Sequence, residues 1–284
     1  MIVLYFLAGI GSLYLLSTLF LTYLVHQMPR QPVCDTPDWG VISDIKISAI
    51  DNGFLEVWRI EPQQSSAGIV VFAHGWGRNR DRMVQRARIF ADWGLSTVIH
   101  SARDHGGSSR RKFMNAVKMA EDIEAVLRWI GEPVILYGHS AGAAAAIIAV
   151  ERNPGNVELL FLEACYAETR VALLSLYCWF NRFLGIFFGP MILWWMNLFY
   201  QNRLDSYDPV QIASTVTMPV MIIHGENDRR FPLDFALKLK KGFAPGQAEI
   251  YIASGAGHSD ASLKSGYKEV VKSFLDRHLF EKQN

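Results

Sequence analysis

The sequence predicts an α/β domain with a mostly parallel, doubly wound sheet, and three observations carry that prediction. First, Gly138-His139-Ser140-Ala141-Gly142 stands between the apolar run Pro133-Val134-Ile135-Leu136-Tyr137 and the Ala-rich run Ala143 to Val150, which reads as strand, sharp turn and buried helix. Second, Ile69-Val70-Val71-Phe72-Ala73 is continuously apolar, as expected of a strand buried on both faces. Third, strand-like and helix-like segments alternate from residue 69 to residue 279, interrupted once, the pattern of crossovers onto a parallel sheet.

The bulk numbers agree with such a core. The chain has 284 residues, half of them hydrophobic and only 19% charged, so it can bury a large interior and still leave apolar surface for lipid. A net charge of +1 implies no charge-driven partner such as nucleic acid. Cys34, Cys165 and Cys178 are too few and too scattered for a disulfide framework.

Residues 1–25 contain no Asp, Glu, Lys or Arg. At about 1.5 Å per residue they are long enough, as a helix, to cross a hydrocarbon core of roughly 30 Å. A cleaved signal peptide needs a basic start, a shorter apolar run and a small-residue cleavage site, and none is present. Residues 1–26 are therefore expected to be an uncleaved, single-pass membrane anchor. Arg30, followed by Lys46 and Arg59, lies on its C-terminal side, which favours a cytoplasmic globular part. Residues 27–40, with Pro29, Pro32, Cys34, Asp35 and Pro37, read as a short linker, and 41–284 as one domain.

Within that domain, Val41 to Ile50 and Phe54 to Ile60 alternate around Asp51-Asn52-Gly53, a hairpin signal. Gln63 to Gly68 is a polar loop before the strand Ile69–Ala73. Asp81 to Trp93 reads as a helix stopped by Gly94, Leu95 to His100 as a strand, and 115–130 as an amphipathic helix. After the Ser140 turn and its helix, Asn153-Pro154-Gly155-Asn156 is a turn and Val157 to Leu162 a strand. Later come the strand Val216 to His224, the helix Leu233 to Lys241, the strand Gln247 to Ile252 and a closing helix over 262–279.

The interruption spans about 166–207. Two strongly apolar, aromatic runs, Leu173 to Phe188 and Met191 to Tyr200, flank Gly189-Pro190, which predicts a helical hairpin broken there. Arg170, Asn181, Arg182, Asn197 and Arg203 interrupt the runs, and each is short for a membrane span. The expectation is a cap insertion with a lipid-facing surface. A purely structural dimer contact is the competing reading.

The pentapeptide has a chemical reading. A serine in a strained turn needs small neighbours two positions away on either side, and the turn lifts its hydroxyl to a helix N-terminus, where free N–H groups favour a developing oxyanion. A chance pentapeptide at a helix start would look similar; the strand before it and the small-residue helix after it favour a nucleophile.

These motifs resemble, in kind and in order, those of the α/β-hydrolase superfamily, and more narrowly its membrane-anchored lysophospholipase-like or Bem46-like serine hydrolases, over about residues 41–280. The resemblance implies Ser140 as nucleophile, His258 in Gly-Ala-Gly-His-Ser as base, and Asp228 in His-Gly-Glu-Asn-Asp-Arg-Arg-Phe-Pro as the acid that orients the base. Glu163 is the runner-up acid, with Glu226 and Asp234 behind it, and Asp228 has the alternative of capping the helix from Leu233. A surface loop would also explain His258. His74, His139, His224 and His278 are assigned no role in proton transfer. The backbone N–H groups of Trp76 and Ala141 are implied as the oxyanion donors, since His74-Gly75-Trp76 matches the family's first loop. Arg103-Asp104-His105-Gly106-Gly107-Ser108 resembles the family's D-x-R-x-H-G-x-S loop, with Ser101 where Asp is usual.

No Cys/His cluster has metal spacing and no glycine loop has the phosphate-binding pattern, so no metal and no cofactor are expected. The implied activity is hydrolysis of a carboxylic ester through an acyl-enzyme, with an acyl-chain ester or thioester as substrate and membrane lipid as partner. The rivals are a catalytically silent membrane receptor on the same fold and a serine peptidase.

Overall fold

The computed structural model describes residues 1–27, 30–64 and 66–280. Met28 and Pro29 of the expected linker and Ser65 of the polar loop lie outside the described residues.

An apolar helix, α1 (Ile2–Val25), precedes the sheet domain. β1 (Val41–Ser48) and β2 (Phe54–Glu61) form the hairpin, with Asp51 and Asn52 in left-handed conformation at its turn. Then follow β3 (Ile69–Ala73), α2 (Val84–Ala91), β4 (Ser96–His100), α3 (Ala116–Ile130), β5 (Val134–His139), α4 (Ala141–Arg152) and β6 (Val157–Glu163). The insertion holds α5 (Thr169–Phe180), α6 (Arg182–Phe199) and the short α7 (Pro209–Ile212). β7 (Val220–Gly225), α8 (Leu233–Gly242), β8 (Ala248–Ala253) and α9 (Tyr267–Leu275) complete the domain.

The strands form one eight-stranded sheet in the order β1-β2-β4-β3-β5-β6-β7-β8. β2 runs antiparallel to both neighbours, and β4 through β8 pair in parallel. β3, β4, β5 and β7 are buried along their whole length, which is why they read as unbroken apolar runs. One face packs against α3, α4 and α8, the other against α2 and α9. Parallel crossovers bring every C-terminal strand end to one edge, and the loops there carry the candidate side chains.

Several boundaries differ from expectation. The second helix begins with a 3₁₀ turn, Arg80–Met83, capped by the Asn79 side chain, which accepts from Asp81 N–H. β7 starts only after Pro219, whose ring denies the ladder a donor. The closing helix starts at Tyr267, after a left-handed Gly266.

The larger correction concerns the insertion. It is a helical hairpin, but the turn is at Asn181 and Gly189-Pro190 lies inside α6. Asn181 is extended, and its side chain accepts the Leu184 N–H at 3.0 Å, starting the new helix. The glycines serve packing instead of breaking: a Cβ on Gly185 would stand 2.5 Å from the Cys178 nitrogen, and one on Gly189 2.7 Å from Leu174 Cδ1. Pro190 costs α6 one internal hydrogen bond without ending the helix.

α1 packs along α6. Tyr14 donates to the Phe187 carbonyl at 2.8 Å, the Trp195 indole donates to Thr18 Oγ1 at 3.0 Å, and His26 Nε2 lies 2.9 Å from the Tyr200 hydroxyl. Thr18 and Thr22 are its buried residues, while most of its leucines and aromatics stay exposed, as do Phe180, Phe183, Ile186 and Phe187 on the insertion.

Candidate active site

Ser140 occupies the turn between β5 and α4, at φ 55° and ψ −120°. A side chain in that region costs on the order of 1–3 kcal/mol, so the surroundings must hold it. They do so by close approach. A Cβ on Gly142 would meet the Ala73 and His74 carbonyls at 2.4 Å, and one on Gly138 would meet Ala143 Cα at 2.5 Å. The Ser140 N–H donates to the Glu163 carbonyl at 2.8 Å, tying the turn to β6.

His258, on the loop after β8, accepts the Ser140 hydroxyl at Nε2 over 2.9 Å. Its Nδ1–H donates to Asp228 Oδ2 at 2.7 Å. The other Asp228 oxygen accepts the backbone N–H groups of Arg230 (2.8 Å) and Phe231 (3.0 Å). Burial pushes the Asp228 carboxyl up, but the His258 hydrogen bond and charge with those N–H groups outweigh it and hold it below its ordinary value. Asp228 does not cap α8: Pro232 holds that position. The imidazole is wedged between the Phe231 ring (5.1 Å) and the His139 ring (5.4 Å), both edge-on, so its orientation is set by packing as well as by hydrogen bonds.

Gly75 brings its loop against the serine: a Cβ there would be 3.1 Å from Ser140 Cβ. The N–H groups of Trp76, on that loop, and of Ala141, at the start of α4, have no hydrogen-bond partner among the described residues. Two buried histidines hold the loop. His74 Nδ1 bonds the Gly75 carbonyl at 2.8 Å, and its Nε2 accepts the Ala102 N–H at 3.0 Å. His105 accepts the Gly77 N–H at 3.2 Å and donates to the Arg103 carbonyl at 2.9 Å. Burial lowers both pKa values, keeping the rings neutral as those bonds require. These supporting roles are not legible in the sequence, because they depend on a loop after β4 reaching a loop after β3.

The other acids lie elsewhere. Glu163, at the end of β6, is fully buried and paired with Arg86, whose Nη2 donates to Oε1 at 2.6 Å, and it accepts the Tyr137 hydroxyl at 2.7 Å. Burial raises its pKa, but Arg86 reverses that and leaves it at about 2. Arg86 also donates to the Ser259 carbonyl at 3.0 Å, so the pair is a strut beneath the His258 loop. Glu226 is exposed and accepts from Ser254 and Gly255; Asp234 sits in the first turn of α8. Where the family pattern usually has Asp, Ser101 donates to Glu56 Oε1 at 2.6 Å, so a carboxylate from β2 fills that place. A cavity of about 530 Å³ between the linker, Arg82 and Ser259 is lined by none of Trp76, Ser140, Asp228 or His258.

A mostly parallel eight-stranded sheet of this order, with a strained serine at the end of its fifth strand and a histidine and an aspartate on later loops, defines an α/β hydrolase. The chain belongs to the serine aminopeptidase S33 family, whose pattern matches residues 64–207. The matched stretch contains Trp76 and Ser140 and ends before Asp228 and His258. Among its relatives, the AB hydrolase superfamily protein YisY of Bacillus subtilis is 25% identical over 230 residues, 66% of this chain and 84% of that one. Esterase Pf2001 of Pyrococcus furiosus shares the fold with a TM-score of 0.69 at 17% identity, over 89% of this chain and 99% of its own. A bacterial membrane phospholipase A shares it with a TM-score of 0.63 at 15% identity, over 97% and 96%.

Proposed function

We propose that this chain is a membrane-anchored serine hydrolase that cleaves the carboxylic esters of acyl-chain lipids. The observation that carries the proposal is the continuous relay from Asp228 Oδ2 through His258 to Ser140 Oγ, with bonds of 2.7 and 2.9 Å. In the proposed reaction His258 Nε2 takes the Ser140 proton as Oγ attacks the ester carbonyl. Asp228 holds the tautomer that leaves Nε2 free and stabilises the imidazolium. The carbonyl oxygen, now an anion, takes the free N–H groups of Trp76 and Ala141 at the positive end of α4. His258 returns the proton to the leaving alkoxide, and a water activated by His258 then frees the acid and Ser140.

The lipid part rests on the exposed apolar faces of α1 and the α5–α6 hairpin, which stand side by side through the α1–α6 hydrogen bonds. α5 also touches the loop that carries Asp228: Ser175 donates to the Arg230 carbonyl at 2.8 Å, and the Arg230 guanidinium lies over Trp179 at 4.4 Å. An acyl chain leaving the bilayer along the hairpin would arrive at this loop. The full-length fold of a membrane phospholipase A points the same way.

The family description favours one second reading, an aminopeptidase. That activity needs a carboxylate to hold a free α-ammonium, whereas Arg230 behind Asp228 and Arg78 within its electrostatic reach are cationic.

Labelling with a fluorophosphonate probe tests the nucleophile. Wild type should label and Ser140→Ala should not; an unlabelled wild type in both detergent and liposomes would sink the proposal. Acyl esters of graded length, run beside aminoacyl anilides, then separate the two substrate readings.

A further inference from the structure

We propose that the loop Ser109–Phe113 is a headgroup latch that seats the sheet domain on an anionic phospholipid leaflet at the C-terminal end of α1. The proposal rests on the membrane-anchored reading of α1 and adds the chemistry of the leaflet.

Along the chain this loop is far from the anchor, but the fold returns it to the anchor's end. Phe113 packs edge-on against the Tyr23 ring at 5.9 Å and the His26 ring at 5.7 Å. Phe113 is 40% exposed at φ 56°, a conformation that a phenylalanine rarely adopts. The loop is fastened from behind: Lys118 Nζ donates to the Lys112 and Phe113 carbonyls at 3.0 and 2.7 Å, and Arg111 pairs with Asp51 at 3.2 Å. With its backbone and one arginine so held, the loop presents Arg110 and Lys112. Both are exposed, and neither has an acidic partner among the described residues. Arg30 is committed elsewhere, bonded to the Gly106 carbonyl at 3.0 Å and paired with Asp104 at 3.8 Å.

The level along α1 decides the partner. A span of about 20 residues from Ile2 crosses the hydrocarbon and ends near Tyr23. Tyr23, Phe113 and Tyr200 then form an aromatic collar at headgroup depth, where such rings concentrate. Arg110 and Lys112 stand beside that collar, where lipid phosphates are the available anions. A basic side chain at a charged membrane surface is worth about fivefold in association at low ionic strength, the equivalent of about 1 kcal/mol. The same cations place this end of the anchor toward the more anionic leaflet.

The test uses the full-length protein in phosphatidylcholine vesicles, with spin-labelled phosphatidylglycerol and phosphatidylcholine competing for the protein boundary. Wild type should favour phosphatidylglycerol. Arg110→Gln with Lys112→Gln should reduce that preference by up to about fivefold per charge, and high salt should abolish it. Lys240→Gln with Lys241→Gln, at the end of α8, should leave it unchanged. Equal association of the two lipids with wild type, or an equal loss in the α8 control, would overturn the latch. So would displacement by inorganic phosphate beyond the effect of matched chloride, which would assign the loop to a free anion. Resistance to alkaline extraction is measured in parallel: protein that washes off refutes the anchor, whereas embedded protein without lipid preference refutes the latch alone.

Discussion

Asp228→Asn is the perturbation that most directly probes the relay, because the structure fixes how the new amide must lie. Asp228 Oδ1 accepts two backbone N–H groups, from Arg230 and Phe231. Only the amide oxygen of asparagine can take that place, so its NH₂ group must face His258 Nδ1. Nδ1 then becomes an acceptor, and the ring proton moves to Nε2, which faces Ser140. The base would hold a proton where it must receive one. The serine-protease template for this tautomer error loses about 10⁴-fold in kcat, or roughly 5 kcal/mol of transition-state stabilisation. The expected result is a loss of that order in ester turnover and in the fluorophosphonate labelling rate near neutral pH. The thermal midpoint should change little, since the shape and the two N–H bonds survive. Glu163→Gln is the control, because Glu163 was the other acid open from sequence. Loss of turnover in a folded Glu163→Gln protein, with Asp228→Asn within tenfold of wild type, would refute the reasoning.

Further outcomes follow from the same geometry. Glu163→Gln leaves Arg86 buried without its counter-charge, so it should cost about 3–5 kcal/mol in denaturant unfolding, read by urea titration. Stability should also fall on acidification. Burial holds His100 at about 4 and His139 at about 3 against an ordinary 6.5, so below pH 6.5 the unfolded chain binds protons that the folded one does not. Each contributes a loss of up to about 1.4 kcal/mol per pH unit as pH falls from 6.5 toward its folded value, and His100→Gln should shrink the difference between urea midpoints at pH 7 and pH 5. Glu163 extends the loss, its contribution being present above pH 4.5 and lost as pH falls toward about 2. Gly185→Val drives a side chain into the Cys178 backbone and should splay the α5–α6 hairpin. Long-chain ester turnover should then drop more than short-chain turnover; an equal drop would mean that the hairpin does not guide the acyl chain.

The sheet was legible in the sequence because its strands are buried on both faces and so are written as unbroken apolar runs. Ile69–Ala73 and Val134–Tyr137 could be little else. The serine turn was legible for a related reason: Gly138 approaches the backbone of Gly142 and Ala143 in its own turn, a steric demand made within a short stretch of chain, whereas the demand on Gly142 comes from Ala73 and His74 at the end of β3. Asp228 and His258 could be named as candidates because each follows a strand end. The insertion shows where local reading failed. Gly189-Pro190 looks like a break, yet α5 packs so closely that glycine is needed and proline is tolerated. Two decisions belonged to the tertiary structure alone. Asp228 and Glu163 both lie at or just beyond strand ends, and only the arrival of Arg86 from α2 commits Glu163 to an ion pair and leaves Asp228 facing His258. Likewise only the fold brings the loop of Arg110 and Lys112 to the end of α1, through the contact of Phe113 with Tyr23. A short stretch of sequence records what its own backbone and burial require; it carries no record of which distant side chain arrives, and the partners of a charge are set by that arrival.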